Sequence, residues 1–277
     1  MADPDVLTHA YLDSHPADAA RVLEGMPRED AAALFARLPA RLGAPVLAAM
    51  RPHVAARVLP PDVPHAALLL GPMSVPAAAA VLRALPEPRR RALIDALPTA
   101  MALACQAVLG YPEDAVGACV ETEVVALAPG TSVRDALAAL HAARARTSAP
   151  VYVVDGQRAP RGQVELWALL QADPARSLDS LAGDLPGTLP AVMPIRGALD
   201  HALWRRADVA PVVERSGVLV GSVERRALAQ AMRERAAERG PEGASVAGIV
   251  AGAYWQAVVA LIEAAVTLLF PPERDRA

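Results

Sequence analysis

The chain has 277 residues, room for one large domain or two modest ones. At 54% hydrophobic and 21% charged it excludes wholesale disorder, and a net charge of −3 argues against a nucleic-acid partner. All 27 basic residues are arginine, so P-loop, protein-kinase and Schiff-base chemistry, each of which needs a lysine amine, are excluded. Asparagine is absent too, so there is no N-glycosylation acceptor.

Aromatic residues make up only 3% of the chain, whereas alanine accounts for 63 residues, a composition suited to many small, closely packed helices. Cys105 and Cys119 are the only cysteines, which points to a reducing compartment. Residues 1–16 carry three aspartates and no apolar run, unlike a secretory signal.

Residues 9–98 contain a loose repeat. A hydrophobic–proline pair recurs at Met26-Pro27, Leu38-Pro39, Leu59-Pro60, Leu85-Pro86 and Leu97-Pro98, with alanine-rich amphipathic segments between. Proline suits the first helical turn and is rejected further inside. Each unit therefore reads as a helix of about two turns, too short to stand alone. Stacked units bury their apolar faces, as in an α-solenoid.

The pattern then changes to β-α-β-β-α. Residues 123–128 and 151–155 are β-branched runs with a helix at 132–144 between them; a short strand at 162–166 and a helix at 167–172 follow. The order returns as a weak strand at 190–193, a helix at 197–205, strands at 209–214 and 218–223, and a helix at 225–235. Val153-Val154-Asp155 falls on Val212-Val213-Glu214, Gly162 on Gly221 and Glu165 on Glu224, so a module of about 60 residues is repeated in tandem.

Residues 244–270 hold no Arg or Asp. As a helix, 246–270 would extend roughly 37 Å, enough for an apolar bilayer core of about 30 Å. Gly248, Gly252, Gln256 and Glu263 share one face of that helix. It either spans a membrane, where this face contacts another helix, or packs in water as a dimer seam or against the solenoid. Arg233, Arg235 and Arg239 before it would keep the N-terminal part cytosolic.

The tandem module resembles a pair of cystathionine-β-synthase (CBS) modules. The whole order is similar to the cytosolic part of MgtE-type magnesium transporters over residues 9–235. The resemblance is carried by His15-Pro16-Ala17-Asp18, by Tyr111-Pro112-Glu113-Asp114 with Gly117, by Thr122–Ala126, by Tyr152–Gly156, by Ala172-Asp173-Pro174 and by Ala210–Val213. It implies an α plus α/β fold: an all-α superhelical domain at 9–110, CBS modules at 111–175 and 176–236, and a hydrophobic helix at 244–270. The multi-helix pore domain of that family is not among the residues that follow.

The resemblance further implies a regulatory, non-catalytic protein that couples Mg²⁺ or ligand binding to a conformational change. It implies a homodimer through the CBS pair and a membrane or pore-protein partner reached through 244–270. It places the chain in the cytoplasm, anchored by that helix to the inner face of the plasma membrane, with no organic cofactor and no nucleic acid. Candidate Mg²⁺ carboxylates are Glu113, Asp114, Asp155 and Glu214. Each has a second reading: Glu113 and Asp114 as first-turn acids of a helix starting after Pro112, Asp155 and Glu214 as strand-end turn residues.

Three positions depart from the family. The Ser/Thr-x-x-Asp of nucleotide-binding CBS modules is here Glu165-x-x-Ala168 and Glu224-x-x-Ala227. The segment Thr99–Leu109, acidic in the family, is uncharged, and Arg225 and Arg226 stand where acids are usual. Two alternatives follow: a structural adaptor that has lost ion sensing and binds a protein partner, or an adenine-nucleotide sensor. The six histidines lack metal-ligand spacing, and no Gly-x-Ser-x-Gly elbow is present.

Overall fold

A computed structural model describes residues 4–143 and 150–238. Of these, residues 4–143 and 150–232 belong to one compact unit and residues 233–238 to another. The segment 244–270, with Gly248, Gly252, Gln256 and Glu263, lies outside the described residues.

Nine helices run from the N-terminus among the described residues: α1 (Pro4–Ser14), α2 (Pro16–Glu24), α3 (Arg28–Phe35), α4 (Ala40–Ala49), α5 (Pro52–Val58), α6 (Val63–Leu70), α7 (Val75–Arg83), α8 (Glu87–Ala96) and α9 (Thr99–Leu109). Proline sets their starts. Pro27, Pro39, Pro86 and Pro98 occupy the N-cap of α3, α4, α8 and α9, and α2, α5, α6, α7 and α8 carry proline in the first turn. The missing N–H costs nothing there.

From α2 onward each helix packs on the one two places ahead, α2 on α4, α3 on α5, and so to α7 on α9. Two layers of helices result, with Phe35, Leu47, Leu69, Leu82 and Leu93 fully buried between them. No helix could hold such a face in water alone; stacking buries it.

Arginine and histidine side chains reach across the stack to the carbonyls that helix ends leave unpaired. Arg28 Nε donates to the Arg57 carbonyl at 2.9 Å, and Arg89 Nη2 donates to Leu59 and Pro60 at 3.1 and 2.7 Å. His65 Nε2 lies 3.0 Å from the Phe35 carbonyl. A positive group at a helix C-terminus satisfies orphan acceptors and opposes the helix dipole.

The α/β region holds two three-stranded sheets. In the first, β1 (Ala126–Leu127) runs parallel to β2 (Val151–Val154), which pairs antiparallel with β3 (Pro160–Val164). In the second, β4 (Leu189–Pro190) is parallel to β5 (Val209–Val213), and β5 is antiparallel to β6 (Leu219–Glu224). Helices α10 (Val133–Ala142) and α11 (Leu166–Gln171) belong to the first module, α12 (Ile195–Leu199) and α13 (Arg225–Glu238) to the second.

The internal repeat is exact at the hairpins. The register slips between Val153 and Val154 in one copy and between Val212 and Val213 in the other. The tight turns that follow place Arg158 (φ 60°) and Gly217 (φ 85°) at matching positions. Glycine adopts that conformation freely and arginine does not.

Each module borrows backbone from the other. Glu121, ahead of the first sheet, bridges Ser222 on β6, and Gly183, ahead of the second, bridges Gln163 on β3. The first exchange requires Gly221, because a Cβ there would collide with the Glu121 carbonyl. Tyr152, Val154 and Leu219 form a small core shared by the modules.

Three expected elements are shorter than the sequence suggests, the strand expected at 190–193 being Leu189–Pro190. The strand expected at 123–128 pairs only at Ala126–Leu127. The helix expected at 197–205 is broken: α12 ends at Leu199 and a 3₁₀ turn covers Ala202–Arg205. Trp204 Nε1 takes the Ala198 carbonyl at 2.6 Å, an acceptor that a continuing helix would need, while His201 Nδ1 caps the new turn at the Leu203 N–H.

Candidate functional site

The junction between helices and sheets is built on residues 111–117. Arg83, at the end of α7, donates from Nη1 to the Tyr111 carbonyl (3.2 Å) and from Nη2 to the Val108 carbonyl (3.3 Å). The Tyr111 ring lies on Gly117 so closely that any Cβ there would enter the ring. Beyond it the chain is stitched to the second module. Val116 N–H donates to Met193 (2.8 Å), Gly117 N–H to Ala191 (2.7 Å), and Ile195 N–H to Asp114 (2.8 Å). One heptapeptide thus joins α7, α9 and the start of the second sheet.

These bonds correct one reading of Glu113 and Asp114. No helix begins after Pro112; residues 112–115 form a turn closed by Ala115 N–H on the Pro112 carbonyl (3.0 Å), and a 3₁₀ turn starts at Val116. The amides that would continue a helix are taken by Met193 and Ala191. Both acids are exposed at the junction. The charge of Glu214 reaches Tyr111: burial first, and Glu214 second, raise the Tyr111 hydroxyl above its ordinary pKa.

Asp155 is engaged within its own turn, whose Arg158 carbonyl accepts from the Leu219 N–H of the Glu214 hairpin at 3.0 Å. Its Oδ1 accepts from the N–H groups of Gln157 and Ala159, both at 2.9 Å, and Oδ2 accepts from Arg161 Nε at 2.8 Å. The Ala159 amide, then Gln157 and Arg161, hold its carboxyl below the usual range, against a smaller opposing effect of desolvation. Glu214 opens the matching turn, its N–H on Val218 and its carbonyl receiving Gly217, both at 2.9 Å.

Mg²⁺ takes hard oxygen ligands and keeps several waters. Glu113, Asp114, Glu214 and Asp155 all carry such oxygens, and those of Asp155 accept from two amides and a guanidinium. Among the described residues no group of three or more His, Cys, Asp or Glu side chains is placed to hold one metal ion.

The two modules share a small apolar core. Tyr152 is fully buried there, its phenol pushed up chiefly by burial. Glu165, at the start of α11, accepts from Gln163 Nε2 at 3.2 Å, and Glu224, before α13, is paired with Arg226. Two carboxylates repel phosphate, and Ala168 and Ala227 offer no acceptor for a ribose hydroxyl.

Cys105 is buried in the helical core, where desolvation pushes its thiol up to about 11. Among the described residues no helix is long and apolar enough to cross a membrane.

Comparison with known proteins follows this division. Residues 14–114 match the MgtE intracellular N domain. The match ends at Asp114, inside the junction. The chain is similar to the soluble part of a magnesium transporter, with 18% identity and a TM-score of 0.68 over 80% of this chain and 89% of that one. It is also similar to the cytosolic domain of the Mg²⁺ channel MgtE in complex with ATP, with 25% identity and a TM-score of 0.57 over 76% and 92%. A cystathionine β-synthase pair domain from Shewanella oneidensis aligns with 60% of this chain and 98% of its own, at 20% identity and a TM-score of 0.45. No curated protein matches the sequence. The fold is therefore that of the soluble part of a magnesium transporter, with residues 14–114 matching the MgtE intracellular N domain.

The sequence shows Tyr111, Glu113, Asp114 and Gly117 as a motif, but not what they touch. Arg83 was not singled out there; its one signal is a basic residue in the last turn of a helix.

Proposed function

We propose that the chain is a non-catalytic regulatory protein of magnesium transport. Binding of Mg²⁺ at the junction shifts the balance between a packed and a loosened arrangement of the N domain and the CBS-like pair. The observation that carries this reading is the stitched heptapeptide: a cation drawn to Glu113, Asp114 or Glu214 acts on the one segment bonded to both parts. Similarity to the cytosolic domain of a Mg²⁺ channel supports it.

The working unit in this reading is a homodimer formed through the CBS-like pair. Leu166, Trp167 and Leu170 of α11 are 51%, 70% and 59% exposed. The matching positions of the second module are Arg225, Arg226 and Ala229. Three large apolar side chains on one short helix are what a partner surface would cover. The segment 244–270 would tether the dimer to the inner face of the plasma membrane or to a pore protein. The adaptor reading is favoured by the uncharged α9 and by Arg225 and Arg226, which thin the acids available to a cation.

The test is the melting temperature of the full chain with and without millimolar Mg²⁺, with Ca²⁺ and ionic-strength controls. A ligand bound only by the folded state raises it. A Mg²⁺-selective rise is the expected result, and no rise in any salt leaves the adaptor in its place.

A further inference from the structure

A groove of about 1060 Å³ opens where α6, the α8–α9 corner and the start of α7 face the segment leading to the first sheet. Its lining is mostly apolar, with exposed Pro64, Leu68 and Pro98 over a floor that includes Met73 and Leu97. Leu68 is 63% exposed although Leu69 and Leu70, next in the same helix, are fully buried. The opposite wall carries Glu121 and Glu123. The backbone of Glu121 is fixed by a pair of hydrogen bonds with Ser222, at 2.9 and 3.0 Å, so β6 anchors this segment at the groove edge.

We propose that this groove is the docking site for an amphipathic helix of a partner protein, its leucine-rich face on Leu68 and its Lys or Arg end against Glu121 and Glu123. The volume is at the upper limit of small-molecule pockets, which span about 300–1,000 Å³. The apolar rim offers few groups to a strand's backbone, and Glu121 is already bridged to Ser222. An occupant must therefore satisfy its own N–H and C=O groups, which a helix does. The two acids fix its direction and exclude an anionic helix. This surface is distinct from Glu113, Asp114 and Glu214, so it stands or falls apart from cation sensing.

The experiment uses the full-length protein and two fluorescein-labelled helical peptides. Both carry the same leucine-rich face; one ends in three lysines and the other in three glutamates. Fluorescence anisotropy at physiological ionic strength reads binding. The lysine peptide binds and the glutamate peptide does not. Leu68→Gln weakens binding about tenfold, as loss of one buried leucine contact implies. Glu123→Arg reverses the preference between the peptides. Both side chains are exposed, so neither variant threatens the fold. Absence of lysine-peptide binding, or binding that neither substitution changes, overturns the proposal.

Discussion

The Arg83 guanidinium holds the Tyr111 carbonyl at 3.2 Å and the Val108 carbonyl at 3.3 Å. The last turn of α9 and the first residue of the junction therefore share one fork of donors on α7. Planar, divergent N–H groups suit arginine to two acceptors at once. The Tyr111 ring, held by this bond, closes on Gly117, whose amide belongs to the second module's bonding. A displacement of α7 thus acts on the α/β region through a short, bonded path.

Replacing Arg83 removes both bonds. Arg83→Ala should lower unfolding free energy by about 1.5–3 kcal/mol, the range for hydrogen bonds to a charged group. Arg83→Lys should recover part of the loss, since an ammonium is a point donor rather than a fork. Urea denaturation of both variants measures the difference; an unchanged midpoint in Arg83→Ala would mean the fork carries no stability.

The two cysteines should behave differently. Cys105 is buried with its thiol raised to about 11, whereas Cys119 is half-buried. A thiol reagent at mild alkaline pH should label Cys119 first and reach Cys105 only on unfolding. In the unfolded chain a thiol ionises near about 8.5. Stability is therefore retained below that pH and falls as pH rises towards the folded value of about 11. Cys105→Ala should flatten this alkaline limb in a pH series of melting temperatures.

Asp155 contributes in the opposite direction. Its folded pKa is depressed by the Ala159 and Gln157 amides and Arg161. The stabilisation is present above the unfolded value of about 3.9 and is lost as pH falls through the lower folded value. Asp155→Asn should weaken the acid limb of stability. It should leave any Mg²⁺ response intact, and loss of that response would return Asp155 to the ion site.

Self-association should depend on α11. Trp167→Glu places a charge on a side chain that is 70% exposed, so folding should survive while a dimer built on that face does not. Sedimentation velocity should show a dimer for the parent chain and a monomer for the variant; a dimer in both would place the interface elsewhere.

The proline rhythm made the helical half legible, because a fixed φ and a missing N–H favour proline at helix starts, Pro45 inside α4 being the exception. The tandem hairpins were legible through matching Val-Val-acid runs, which is where register and bulge recur in the structure. What escaped was set by distant partners. The helix expected after Pro112 yields to Met193 and Ala191, and the one expected at 197–205 is cut by Trp204 on Ala198. Arg83 and the groove edge at Glu121 and Glu123 have meaning only once remote segments meet. A sequence pattern records local periodicity and not those encounters.

The central claim is that the junction is the element a cation acts on. Hydrogen exchange of the Val116, Gly117 and Ile195 amides in the full chain, with and without millimolar Mg²⁺, tests it most directly. These amides donate to Met193, Ala191 and Asp114. Slower exchange at these three in Mg²⁺, lost in Glu113→Gln with Asp114→Asn, is the predicted result. Exchange unchanged by Mg²⁺ at all three would contradict the account.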